Sequence, residues 1–183
     1  MKFARLLLRL VLGGLFIGHG TQKLFGWFEG PGLDATAQGF EAMGARPGRL
    51  NAIAASGTET AGGALLALGL ATPLAASSLI AVMLTAINRV HLKNGFWVAK
   101  GGYEFNLTLI AALLALVEAG PGPLSFDGER FSGPEWAAAA LVAGAAGAAG
   151  AHAFSAMQPE PLPEPDASEQ PAGEPERSQT AAA

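Results

Sequence analysis

The stretch TAGGALLALGLATPLAASSLIAVMLTAIN, residues 60–88, contains no ionisable side chain. With Leu50 to Glu59 added ahead of it, and a helical rise of about 1.5 Å per residue, it is longer than one bilayer core of about 30 Å requires. A segment this apolar and this long must double back. Leu70-Ala71-Thr72-Pro73 is the natural turn, because the residue before a proline avoids helix and the proline itself suits a new first turn. The reading is therefore two membrane helices, near 50–70 and 73–90.

Working upstream, an apolar run from about Phe3 to Phe25 predicts a first helix. Arg5 and Arg9 near its start are expected to snorkel to lipid headgroups, and Gly14 and Gly18 to ease helix packing rather than form a dimer seam. Its basic start resembles a signal peptide, but no small-x-small cleavage site follows Ile17, which favours a retained helix. Lys2, Arg5 and Arg9 favour a cytoplasmic N-terminus. Residues 26–49 read as an interfacial loop with aromatic and Gly/Pro punctuation. Within it Asp34 is expected to cap a short amphipathic helix over about 35–43, with Phe40 and Met43 dipping toward lipid.

Downstream, Arg89 to Trp97 is basic and aromatic, the composition of a headgroup-level exit. A fourth helix is expected over about 103–119, ended by Gly120-Pro121-Gly122-Pro123. An Ala/Gly-rich fifth helix follows within 128–157, over about Trp136 to Met157, where His152 is given a structural or interfacial place. From residue 158 to 183 the repeated Pro-Glu pairs predict a disordered tail. The expected architecture is thus an all-α membrane protein: a four-helix transmembrane core over 1–127, an added helix and a flexible tail.

Composition agrees. Of 183 residues, 50% are hydrophobic and 14% charged, against about 25% charged in an ordinary soluble domain. The formal charge of −4 comes largely from the tail, and no clustered basic face points to nucleic acid. Cysteine is absent, so disulfides, thiolate metal sites and thiol redox chemistry by this chain alone are excluded.

Ionisable groups inside membrane segments cost roughly 2.5–3.5 kcal/mol each at mid-helix, so each one invites a functional reading. The candidates for ligand binding or proton exchange are His19, Lys23, Glu59, His91 and Glu104. His19 and Lys23 share a helix face at i,i+4 spacing. Glu59 sits among small and hydroxylated residues, Ser56 to Gly63, which leave room for a second helix or a ligand.

Gly18-His19-Gly20-Thr21-Gln22-Lys23-Leu24-Phe25-Gly26, Glu59-Thr60-Ala61-Gly62-Gly63, Leu68 to Pro73, His91 with Gly95-Phe96, and Tyr103-Glu104 together resemble the DoxX family of small membrane proteins. The resemblance spans about Leu6 to Asp127. It implies a multi-pass protein of the cytoplasmic membrane with a four-crossing core, some relatives being subunits of quinone-linked oxidoreductases and others being tied to oxidative-stress complexes. The first functional reading is accordingly a quinone-interacting or redox-complex subunit, with quinone as its candidate ligand and electrons supplied by partner subunits. His19 and Lys23 would hydrogen-bond a quinone carbonyl, and Glu59 or Glu104 would exchange the proton. The purely structural reading pairs Glu59 with Lys23 or an arginine. A proton-coupled or small-molecule transporter, as a homo-oligomer if need be, and a membrane scaffold with the tail as its binding arm are the other classes.

Overall fold

The computed structural model describes residues 2–159, so the expected tail lies, from residue 160 on, outside the described residues. Six α-helices follow one another: α1 (Lys2–Phe25), α2 (Gly32–Ala42), α3 (Gly48–Leu68), α4 (Thr72–Ala86), α5 (Glu104–Ala119) and α6 (Pro134–Ala156). No strand occurs among the described residues. A wide π-helical turn, Ile87–His91, and a tighter one, Leu92–Asn94, prolong α4. We call the end of the bundle that holds the start of α1 proximal, and the other distal.

Glycines decide how α1 meets α3. A Cβ added to Gly13 would lie 2.6 Å from the Gly63 carbonyl oxygen, and one on Gly20 would lie 2.6 Å from that of Ser56. The order of these contacts makes the two helices antiparallel. Gly14 and Gly18, by contrast, have nothing within 4 Å of an added Cβ, so their expected packing role falls to their neighbours. Counting residues cannot say which glycine of a helix faces its partner.

The α3–α4 turn falls where proline chemistry places it. Gly69 takes a left-handed conformation and Leu70 N–H donates to Leu65 O at 2.9 Å, which ends α3; Pro73 lies in the first turn of α4. Ala71 is also left-handed, a conformation unfavourable for a residue with a Cβ. Asp127 holds it: the carboxylate accepts Ala71 N–H at 2.9 Å, Thr72 N–H at 2.7 Å and the Thr72 hydroxyl at 2.7 Å, capping α4 from more than fifty residues away.

Arg9 corrects the snorkelling expectation. It is only 3% exposed, and its guanidinium donates to the carbonyls of Ala67 (3.0 Å), Pro121 (2.9 Å) and Leu124 (2.6 Å). Arg5 is likewise held by protein, bidentate to Glu129 at 2.8 and 2.9 Å and donating to Ala119 O at 2.7 Å. The helix-breaking Gly/Pro segment leaves carbonyls unpaired at the proximal end, and arginine forks satisfy them. Together with Asp127 they seal that end.

Asp34 is not the cap of α2. It stands inside the first turn of that helix and pairs with Arg49 at 2.6 Å across an exposed surface. Phe40 and Met43 turn inward to line a cavity instead of facing lipid.

The core beneath the seal is aliphatic, with Leu12, Phe16, Leu66, Leu79, Ile80 and Leu113 at its centre. The α6 helix packs parallel to α4, a Cβ on Gly144 lying 2.6 Å from Ile80 Cγ2, and His152 Nε2 lies 2.7 Å from Asn88 Oδ1 farther along the same pair. Three helical segments are long and apolar enough to cross a membrane: Lys2–Phe25, Thr72–Asn94 and Pro134–Ala156. The expected count of four core crossings plus one therefore matches only in part. At about 1.5 Å per residue the α5 helix falls short of a full core thickness, and α3 is diluted by Gly, Ser, Thr, Arg49 and Glu59.

Candidate functional site

Glu59 sits at mid-helix in α3 where the glycine-tight approach of α1 removes water; it is 1% exposed. A carboxylate so placed needs a counter-charge. Lys23, two residues before the end of α1, reaches it with Nζ 2.6 Å from each carboxylate oxygen, while its own side chain stays 30% exposed. The pair foreseen by the structural reading therefore exists. It also lines a cavity.

The cavity has a volume of about 710 Å³ and extends from the middle of the bundle toward its distal end, walled by α1 to α6 and the 98–102 loop. Most of the lining is apolar, with Phe16, Val82, Met83, Phe105 and Leu109 among its walls. Its polar groups come from several helices: His19 and Lys23 from α1, Thr58 and Glu59 from α3, Arg89 and His91 from the π-helical turn, and Asn106 from α5. Apolar walls with a few converging polar groups are the usual form of a small-molecule site. Exposed lining residues, including His19, Ala54, Val98, Phe105 and Gly147, open the chamber to the protein surface.

Four of the five candidates read from the sequence, His19, Lys23, Glu59 and His91, thus share one cavity. Glu104 does not line it; it begins α5, half-buried, one residue before the cavity-lining Phe105. His91 Nδ1 lies 2.8 Å from Gly101 O, which can only accept, so Nδ1 donates there and Nε2 is left for another partner. Arg89 donates to Met43 O at 3.2 Å. The π-helical turn shifts the register of Arg89 and His91, so that they reach α2 and the loop ahead of α5, respectively.

Sequence reading did not select Asn106, which is buried and donates to Met83 Sδ at 3.4 Å. The signal was present: it is the one amide within the apolar run from 103 to 119. Asp127 and Arg9 were equally hidden, because their partners lie far off in sequence. Among the described residues no group of three or more His, Asp or Glu side chains is placed to hold a metal.

An all-helical bundle with membrane-length helices, an internal ion pair and an apolar chamber open at its flank is the make-up of an integral membrane protein with an internal cavity. The DoxX family model matches residues 4–92, so the chain carries a DoxX domain reaching from α1 through the π-helical turn that holds Arg89 and His91. No curated protein matches the chain, and no solved structure does. The matched region holds both halves of the ion pair and excludes α5 and α6, which complete the chamber.

Proposed function

We propose that this DoxX-domain protein is a multi-pass protein of the cytoplasmic membrane that binds a quinone in the distal cavity, as a subunit of a membrane oxidoreductase. Connectivity supports crossings by α3 and α5 as well: α1 ends distally and α4 begins proximally, so α3 must traverse the bundle between them, and α5 does the same between α4 and α6. The observation that carries the functional reading is the convergence of His19, Lys23, Glu59 and His91 on one apolar cavity of about 710 Å³.

A quinone ring needs flat apolar walls, hydrogen-bond donors at its carbonyls and groups that exchange protons. Phe16, Phe40 and Phe105 supply aromatic surface, Lys23 and His19 supply donors, and the Lys23–Glu59 pair holds an exchangeable proton at Nζ. The electrons come from an oxidoreductase partner. A transport path is less well supported, because the Arg9 and Asp127 hydrogen bonds close the proximal end that such a path would have to cross.

The test is retention of decylubiquinone by protein purified in mild detergent, with lipid extraction and mass spectrometry of the native complex in parallel. The wild type is expected to retain the quinone and Lys23→Ala and Glu59→Gln to bind it about tenfold more weakly. Equal retention by the wild type and both folded variants would sink the assignment.

A further inference from the structure

The distal end of the cavity has a charge imbalance that a quinone does not answer. Its lining includes the cations Lys23 and Arg89 and the imidazoles of His19 and His91, but one carboxylate, Glu59, which Lys23 already occupies through both oxygens. Arg89 is half-buried and has one acceptor, the Met43 carbonyl, for its five donors. Among the described residues no carboxylate lies within ion-pair distance of it. The other acids on distal elements are engaged elsewhere or set apart. Asp34 pairs with Arg49, and Glu41 accepts Gly48 N–H at 2.5 Å and lies 3.6 Å from Arg46. Glu29 and Glu104 do not line the chamber.

A guanidinium in a largely apolar cavity costs free energy unless an anion meets it, and its planar fork matches the oxygens of a phosphate. His91 stands two residues away, oriented by Gly101 O so that Nε2 remains for a ligand, and Lys93 and Lys100 flank it on exposed turns. The depth is that of headgroups. Phe96 packs edge-on against Trp97 and Tyr103 at 5.0 and 5.5 Å, and exposed Trp27 and Phe28 form a second aromatic cluster at the same end, as in a membrane-interface belt. Glu59 lies level with about residue 82 of α4, since Gly62 opposes Leu79. Arg89 is seven residues farther along, about 10 Å nearer the distal surface.

We propose that Arg89 and His91 form a phosphate-binding subsite that holds the anionic headgroup of a lipid whose apolar chain enters the cavity through its open flank. The site goes beyond quinone binding and does not require it. Headgroup and chain are recognised together: the guanidinium fork and Nε2–H of a His91 imidazolium donate to the phosphate, and Phe105, Val98 and the small face of α6, Ala143, Gly147 and Ala151, take the chain.

The full chain in mild detergent, titrated separately with dioctanoyl phosphatidylglycerol, dioctanoyl phosphatidylcholine and inorganic phosphate and read by native mass spectrometry, tests this. The wild type should prefer the phosphatidylglycerol to the phosphatidylcholine by about tenfold and bind inorganic phosphate far more weakly than either. Arg89→Gln should abolish that preference, Arg89→Lys should restore part of it through the charge alone, and His91→Ala should reduce it without disturbing the fold. Equal binding of the two lipids by the wild type would overturn the subsite, as would an unchanged preference in Arg89→Gln or, should that variant not fold, in His91→Ala. Inorganic phosphate bound as tightly as the lipid would overturn the role given to the chain. Decylubiquinone retained while lipid preference is absent refutes this inference alone, and the reverse outcome refutes the quinone reading alone.

Discussion

Replacing Lys23 and Glu59 with methionine, singly and together, measures what their ion pair does for the fold. Lys23→Met leaves a carboxylate that is 1% exposed with no counter-charge, and breaking a buried pair on that side costs about 3–5 kcal/mol. Glu59→Met leaves an ammonium that is 30% exposed on a flexible stem, able to swing toward the distal surface, so the loss is smaller, about 1–2 kcal/mol. The double variant removes both charges and leaves apolar side chains of similar length, so it should stand within about 1 kcal/mol of the wild type. The coupling energy is then at least about 3 kcal/mol. Reversible unfolding in mixed detergent micelles, followed by circular dichroism, reads all four corners of the cycle. Additivity within about 0.5 kcal/mol, or a larger cost for Glu59→Met than for Lys23→Met, would refute the reasoning, because either result means that Glu59 is not stranded when Lys23 is removed.

Three further outcomes follow from the packing and the seal. Gly13→Ala should destabilise the bundle by about 1–3 kcal/mol through its collision with the Gly63 carbonyl, whereas Gly14→Ala, one residue on in open space, should leave it unchanged or raise it by about 0.5–1 kcal/mol through helix propensity; thermal melts of the pair compare them directly. Asp127→Ala should cost about 2 kcal/mol and speed amide hydrogen exchange at Ala71 and Thr72, because the carboxylate caps α4; unaltered exchange there would contradict that role. Arg5, chiefly by hydrogen bonding and further by its charge, holds the Glu129 carboxyl below its ordinary value, so the pair's contribution is present at neutral pH and is lost as pH falls through that lowered value. The stability difference between wild type and Glu129→Gln should accordingly close in acid, and a gap that widens there would be the wrong sign.

The fold's outline was legible because residues 60–88 cannot be solvated by water and Pro73 fixes where they turn. Ionisable groups in apolar runs singled out His19, Lys23, Glu59 and His91, and these four line one chamber. What stayed hidden depends on contacts distant in sequence. Arg9 resembles any interfacial arginine until Pro121 and Leu124 come round to meet it, and Asp127 resembles any loop acid until Ala71 requires a partner for its strained N–H. Phe40 and Met43 fit an amphipathic helix facing lipid equally well, and only the placement of α2 over the cavity turns them inward. The span count was hard for a related reason, since a helix packed against several others, as α3 is against α1, α2 and α4, can be less oily than one bathed in acyl chains.

The two ends of the bundle differ in stiffness as well as in charge. At one, Arg5, Arg9 and Asp127 rivet α1, α3, α4 and the connector after α5 into a single block; at the other, the helices stand around a void and are tied across it by the Lys23–Glu59 pair and by bonds such as His152 to Asn88 and Arg89 to Met43. On such a frame a small rotation at the riveted block would grow into a larger displacement at the chamber with distance along each helix, so an opening there would leave the proximal hydrogen bonds intact.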